Sequence, residues 1–156
     1  MIVLIMLFCF IIYMFKIFKL KKNDINLSQE INLPKNFLLG LATSSYQNEG
    51  NNSNNWSQWI ESNNLEQVGN KVNMWDNFEK DIKNLEYLGI NMFRFSIEWS
   101  RIQPQPDIID YDALRKYSKW CKILKEKNIT PIVTLHHFTL PIWVDSKGSW
   151  ESKEVV

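Results

Sequence analysis

Leu88-Gly89-Ile90-Asn91 and Lys127-Asn128-Ile129-Thr130 stand 39 residues apart and give the backbone the same instruction. Each closes a stretch of helical periodicity and opens a short apolar run. Ahead of the first, Trp75, Phe78, Ile82, Leu85 and Leu88 recur at spacings of three and four, so residues 74–88 are predicted to be a helix capped by Gly89. Ahead of the second, Asp110 is the expected N-cap and Tyr111, Leu114, Tyr117, Cys121 and Leu124 the expected apolar stripe, with Asn128 in the capping place of Gly89. Residues 37–42, 92–97 and 131–135 read as strands. Strand and helix in alternation argue for parallel βα units. Arg94, long and charged inside a strand, suits the interior of a βα barrel near its active face. An open doubly wound sheet is the second choice, and no G-x-G-x-x-G or P-loop supports it. Residues 44–73, polar and rich in Asn, are expected to be a long loop with about one helical turn, a length that usually signals function or disorder.

Residues 1–15 carry no charge, and Lys16, Lys19, Lys21 and Lys22 follow. Such a stretch of helix spans about 22 Å against a hydrocarbon core of about 30 Å. Ile17, Phe18 and Leu20, with snorkelling lysines, bring it close to a full span. A cleaved leader would want positive charge before the apolar run and small residues after it, and neither is present. Residues 1–22 are therefore expected to be an uncleaved membrane anchor and 23–32 a polar linker. The lysines lie on the C-terminal side, so the globular part, 33–156, is expected on the cytoplasmic side. The formal net charge of +1 gives no electrostatic reason for a nucleic-acid partner. Cys9 and Cys121 have no metal-ligand spacing, and a disulfide between them is not expected.

In a βα barrel, chemistry sits at the C-terminal strand ends and in the loops beyond them. Falling there are Thr43, Ser44, Ser45, Tyr46, Gln47 and Glu49 after the first strand, and Arg94, Ser96, Glu98, Trp99 and Arg101 in and after the second. His136, His137, Phe138 and Trp143 follow the third. Amides, imidazoles, a guanidinium and indoles on one face suit a sugar, whose hydroxyls need paired donors and acceptors and whose apolar face stacks on aromatic rings.

Three of these segments carry a specific resemblance. Residues 37–50 (FLLGLATSSYQNEG), 93–102 (FRFSIEWSRI) and 131–143 (PIVTLHHFTLPIW) resemble, in order and spacing, the first three strand motifs of family 1 glycoside hydrolases, the β-glucosidase type. The resemblance implies an α/β fold, the N-terminal portion of a (β/α)8 TIM barrel amounting to about three βα units. It implies that Gln47 and His137 bind sugar hydroxyls. Arg94 corresponds to an arginine that supports the catalytic nucleophile by keeping that carboxylate ionised. Trp99, Trp143 and Trp150 match aromatic positions and are assigned structural roles. Thr139 stands where many members have Asp. No metal or organic cofactor is implied, and the expected small-molecule partner is a β-glycoside or monosaccharide.

Retaining glycosidases use two carboxyl groups about 5–5.5 Å apart. The family carries them in an N-E-P motif after strand four and an E-N-G motif after strand seven, and neither motif occurs in these 156 residues. No catalytic residue is therefore assigned within the chain. Glu49 and Glu98, the only carboxylates of the matching motifs near the site, are not expected to substitute. A whole barrel takes about 250 residues. The sequence thus predicts an incomplete barrel, inactive unless a C-terminal complementing chain finishes it. The other reading is a non-catalytic, anchored carbohydrate-binding remnant or a gene fragment.

Overall fold

The structure, a computed structural model, describes residues 13–14, 32–70 and 72–155. The chain divides into two compact units, Met1–Phe37 and Leu38–Val156. In the first, the Phe37 amide donates to the Pro34 carbonyl at 2.9 Å, closing a turn. The expected anchor and linker lie outside the described residues, except for Tyr13, Met14 and Asn32. Among the described residues no helix is long and apolar enough to cross a membrane.

The second unit is built on three strands, β1 (Gly40–Ala42), β2 (Met92–Ser96) and β3 (Thr130–Thr134), paired in the order β1-β2-β3. Both pairings are parallel, with Leu41 opposite Phe93 and Phe93 opposite Pro131. Helices α1 (Ser45–Asn48), α2 (Asn55–Ser62) and α3 (Met74–Tyr87) lie between β1 and β2. Helices α4 (Trp99–Ile102) and α5 (Tyr111–Glu126) lie between β2 and β3, and α6 (Ile142–Ser146) follows β3.

The twin junctions have one backbone solution. Gly89 and Asn128 take the left-handed conformation, at φ 68° and 57°. The next amide in each case reaches back five residues, Ile90 to Leu85 at 3.0 Å and Ile129 to Leu124 at 2.9 Å. This closes the helix and turns the chain into the strand. At the other end of α5 the Asp110 carboxylate accepts from the amides of Asp112 and Ala113, the predicted N-cap.

Period-two alternation sends Phe93 and Phe95 to the outer face of the sheet. There they meet Met74, Phe78, Ile82 and Leu85 of α3 and Tyr117, Trp120 and Leu124 of α5. Phe78 stacks on Trp120 with centroids 4.1 Å apart. Burying each such side chain contributes about 1.5–3 kcal/mol. Outside the core, Lys116 pairs with Asp76 at 3.2 Å, Lys119 with Glu79 at 2.6 Å and Lys127 with Glu86 at 2.8 Å, clamping α5 to α3. The inner face, by register, carries Gly40, Ala42, Met92, Arg94, Ser96, Thr130, Ile132 and Thr134, and Ile132 is 42% exposed.

Three expectations need correction. The first strand is confined to Gly40–Ala42, and the residues from Phe37 to Leu39 are not part of it. Residues 44–73 are not one loop: they hold α1 and α2 and the lead-in to α3. Helix α2 starts at a reciprocal cap, in which the Asn54 side chain accepts from the Ser57 amide and the Ser57 hydroxyl accepts from the Asn54 amide. Finally, the buried stripe of α5 is Ala113, Tyr117, Trp120 and Leu124, while Tyr111 is 64% and Leu114 37% exposed. The bulk of Trp120, and the smallness of Ala113 above it, rotate the helix by about one position from the expected face.

Candidate functional site

The three strands end on one side of the sheet, and their following segments are joined there by a buried polar cluster. Glu49 and Glu98 are both fully buried. The Glu49 carboxylate accepts from Arg101 Nε at 3.0 Å and from the Tyr117 hydroxyl at 2.7 Å. Tyr117 itself accepts from the Glu98 backbone amide at 3.0 Å. Arg101 also donates to the Gly50 carbonyl at 2.7 Å and to the Asn52 side chain. Gly50 is at φ 84° with Asn70 pressed against the position a Cβ would take, so this glycine is required by both conformation and space. Arg101 and Lys116 stand over the Trp75 ring, 4.1 and 4.2 Å from its centroid.

Burial is the largest influence on Glu49 and pushes its carboxyl up to about 7; the Tyr117 and Arg101 hydrogen bonds and the Arg101 charge oppose the rise, and Glu98 adds to it. Burial, then the charge of Glu49, pushes the Tyr117 hydroxyl up. With their oxygens committed to internal donors and no solvent exposure, neither Glu49 nor Glu98 is presented to a substrate.

The residues assigned to sugar binding lie around this cluster. Gln47, on α1, is exposed, and its Oε1 accepts from the Ser44 hydroxyl at 2.6 Å. Arg94, on the inner face of β2, extends across to the end of β1, where its Nη1 donates to the Thr43 carbonyl at 3.1 Å. An ion pair of Arg94 with Glu49 or Glu98 is not formed; Arg101 occupies Glu49 instead. His137 follows β3, half-buried, with its ring edge-on to Phe138 at 4.9 Å. Gln47 and His137 thus follow the C-terminal ends of β1 and β3, while Arg94 is the middle residue of β2 and its guanidinium lies against the residue that follows β1.

Phe138 sits at φ 68°, and the Thr139 amide donates to the His137 carbonyl at 2.9 Å across it, a three-residue turn of a strained kind. The turn presents Phe138, 65% exposed, to Trp56, with which it stacks at 5.9 Å. Trp56 in turn meets the edge of Tyr46 at 5.6 Å. The Tyr46 hydroxyl is buried with no hydrogen-bond partner among the described residues, and burial followed by the charge of Glu98 raises its pKa. His136 instead turns to Trp150, 5.2 Å away. Trp150 and Trp143 pack on Trp99 at 5.4 and 6.1 Å. Both Trp99 and Trp143 donate to Gln103, as side chains with a packing role do. Sequence reasoning missed the part played by Arg101, Tyr117 and Asn54. The pairing of Glu49 with Arg101, both inside matching motifs, was the available signal.

A parallel βα sheet that gathers its polar side chains at the C-terminal strand ends is the layout of a β/α-barrel segment. The family model for Glycosyl hydrolase family 1 matches residues 29–156, and the chain belongs to that family. It is 37% identical over 131 residues to beta-glucosidase 9 of Arabidopsis thaliana, a match covering 79% of this chain and 26% of that protein. The solved beta-glycosidase from Pyrococcus horikoshii superposes with a TM-score of 0.73 at 38% identity, over 81% of this chain and 30% of that one. The beta-glucosidase from Thermotoga maritima, solved in complex with castanospermine, gives 0.71 at 33% identity, over 79% and 30%. The chain therefore spans about 30% of the length of the relatives it matches.

Proposed function

We propose that this chain supplies the sugar-recognition part of a retaining β-glycosidase site acting on β-glucosides or β-galactosides. Gln47 and His137 bind hydroxyls of the terminal sugar, and Arg94 supports a nucleophilic carboxylate that is not among these residues. Hydrolysis then requires a complementing chain or segment that brings both catalytic carboxylates. The observation that supports the reading best is that, in a family 1 sheet, an amide follows β1, an imidazole follows β3, and a guanidinium from the intervening β2 reaches the end of β1. Each can exchange hydrogen bonds with a hydroxyl or a carboxylate, and the exposed Phe138 and Trp56 rings offer an apolar surface beside them.

The test measures two things on the purified chain. It should leave a chromogenic β-glucoside uncleaved, and cleavage should appear when the separately expressed C-terminal part of a family 1 relative is added. Titration with D-glucose should shift the His137 ring signals, and Gln47→Ala should abolish the shift. Turnover by the chain alone, lost on Glu49→Gln or Glu98→Gln, would falsify this reading. The apolar stretch of residues 1–22 is proposed, on its sequence alone, to hold the chain on a membrane. Its deletion should then move the protein from the membrane pellet to the supernatant.

A further inference from the structure

Glu98 ties together the segments that follow all three strands. Its carboxylate accepts from the Ser45 hydroxyl at 2.9 Å, on the helix after β1, and from Asn54 Nδ2 at 3.4 Å, further along the same connection. It accepts from the Ser100 hydroxyl at 2.9 Å, in the segment after β2. The Thr139 hydroxyl, in the segment after β3, lies 3.2 and 3.0 Å from its two oxygens. Four donors from three loops thus converge on one side chain with no solvent exposure. Two of them stand two residues from the proposed sugar contacts, Ser45 from Gln47 and Thr139 from His137.

The links onward are short. Ser45 is fixed a second time, its amide donating to the Ser96 hydroxyl of β2 at 2.6 Å, and the neighbouring Ser44 hydroxyl holds the Gln47 amide oxygen. The Thr139 amide holds the His137 carbonyl across the strained turn. Losing a donor at Glu98 therefore frees a loop whose next few residues carry a recognition group. Thr139 is matched to this role because it brings a hydroxyl; the aspartate many family members carry there would put a second carboxylate against a buried one.

We propose that Glu98 is a positioning residue, which sets the spacing of Gln47 and His137 through Ser45 and Thr139 without touching the sugar. The inference rests on the sugar-binding reading of Gln47 and His137. A site whose contacts must be held within about 0.5 Å is sensitive to such support.

The experiment follows D-glucose binding to the whole chain by the His137 ring signals, with thermal melting alongside. Thr139→Val, which keeps the shape and removes the hydroxyl, should weaken binding about tenfold, the loss that goes with one missing hydrogen bond of about 1.4 kcal/mol. Thr139→Ser, which restores the donor, should bind as the parent does. Glu98→Gln should behave like Thr139→Val. Gly89→Ala supplies the control, since it lowers the melting temperature by straining the left-handed cap ahead of β2, at the end of the strand away from the site, and should leave affinity unchanged. A parent chain that binds glucose while Thr139→Val and Glu98→Gln bind equally well overturns this inference and leaves the sugar reading intact. So does an affinity that merely tracks melting temperature across all four variants. A parent chain that does not bind at all removes the sugar reading and this inference with it.

Discussion

Phe95 and Glu98 stand three residues apart at the end of the second strand, and both have no exposure to solvent. Phe95 points to the helices, where its neighbours are rings and aliphatic chains: Tyr117 at 6.3 Å and Trp120 at 5.5 Å between centroids. Glu98 points to the strand ends, where its neighbours are hydroxyls and an amide. Tyr117 belongs to both regions, its ring in the core and its hydroxyl between Glu98 and Glu49. The apolar region is held by area, with many weak contacts and no directional demand. The polar region is held by pairing, and each buried oxygen that loses a donor carries the full cost of its desolvation. The first should respond to mutation in proportion to volume and be indifferent to pH. The second should respond to single atoms and to protons.

The largest effect is expected in the apolar region. Phe95→Ala should destabilise the fold by about 3–5 kcal/mol, read as a shift of the urea midpoint, and by the same amount at pH 5 and pH 8. A pH-dependent difference would break the contrast. Next comes Glu49, whose carboxyl is raised from 4.5 to about 7. The folded chain holds this proton more tightly than the unfolded one. The resulting stability is fully present below about pH 4.5 and is lost as pH rises through about 7. Relative to Glu49→Gln, which cannot titrate, the parent chain should therefore lose about 3 kcal/mol across that window. A flat difference between the two across pH would show that Arg101 and Tyr117 outweigh burial. The smallest effect belongs to neither region: Asp110→Ala should cost about 1 kcal/mol, the value of one N-cap, read as a shift of the urea midpoint.

What could be foreseen follows the same division. The paired junctions, the helix from Met74 and the three strands were legible because apolar periodicity and left-handed caps act locally. Gly89 and Asn128 do their work within a few residues of themselves. The stripe of α5 was misjudged by one position because Ala113 carries little hydrophobic signal and Trp120 and Cys121 are neighbours. Helix α2 escaped notice for a related reason, since it buries no residue completely and its cap pairs two Asn/Ser partners instead of the usual Ser/Thr with Glu/Gln. The polar cluster was hidden for a different one. Most of its hydrogen bonds join residues 41 to 68 positions apart, such as Thr139 with Glu98 and Tyr117 with Glu49, and no local pattern announces such a bond. Gln47, Arg94 and His137 were placed by family motifs, not by any property of the residues taken singly.

The three lysine–carboxylate contacts between α3 and α5 join partners 40, 40 and 41 positions apart, close to the 39-residue interval of the twin junctions. The two helix–strand modules therefore run in phase. An extra residue inserted within α5, ahead of Lys116, would turn the start of the helix by about 100° and carry the Asp110 cap and Ala113 out of alignment. The same residue inserted between Gln103 and Ile109 leaves that phase alone. Tolerance to insertion should thus change abruptly at Asp110, a boundary that a scan of single-residue insertions would locate.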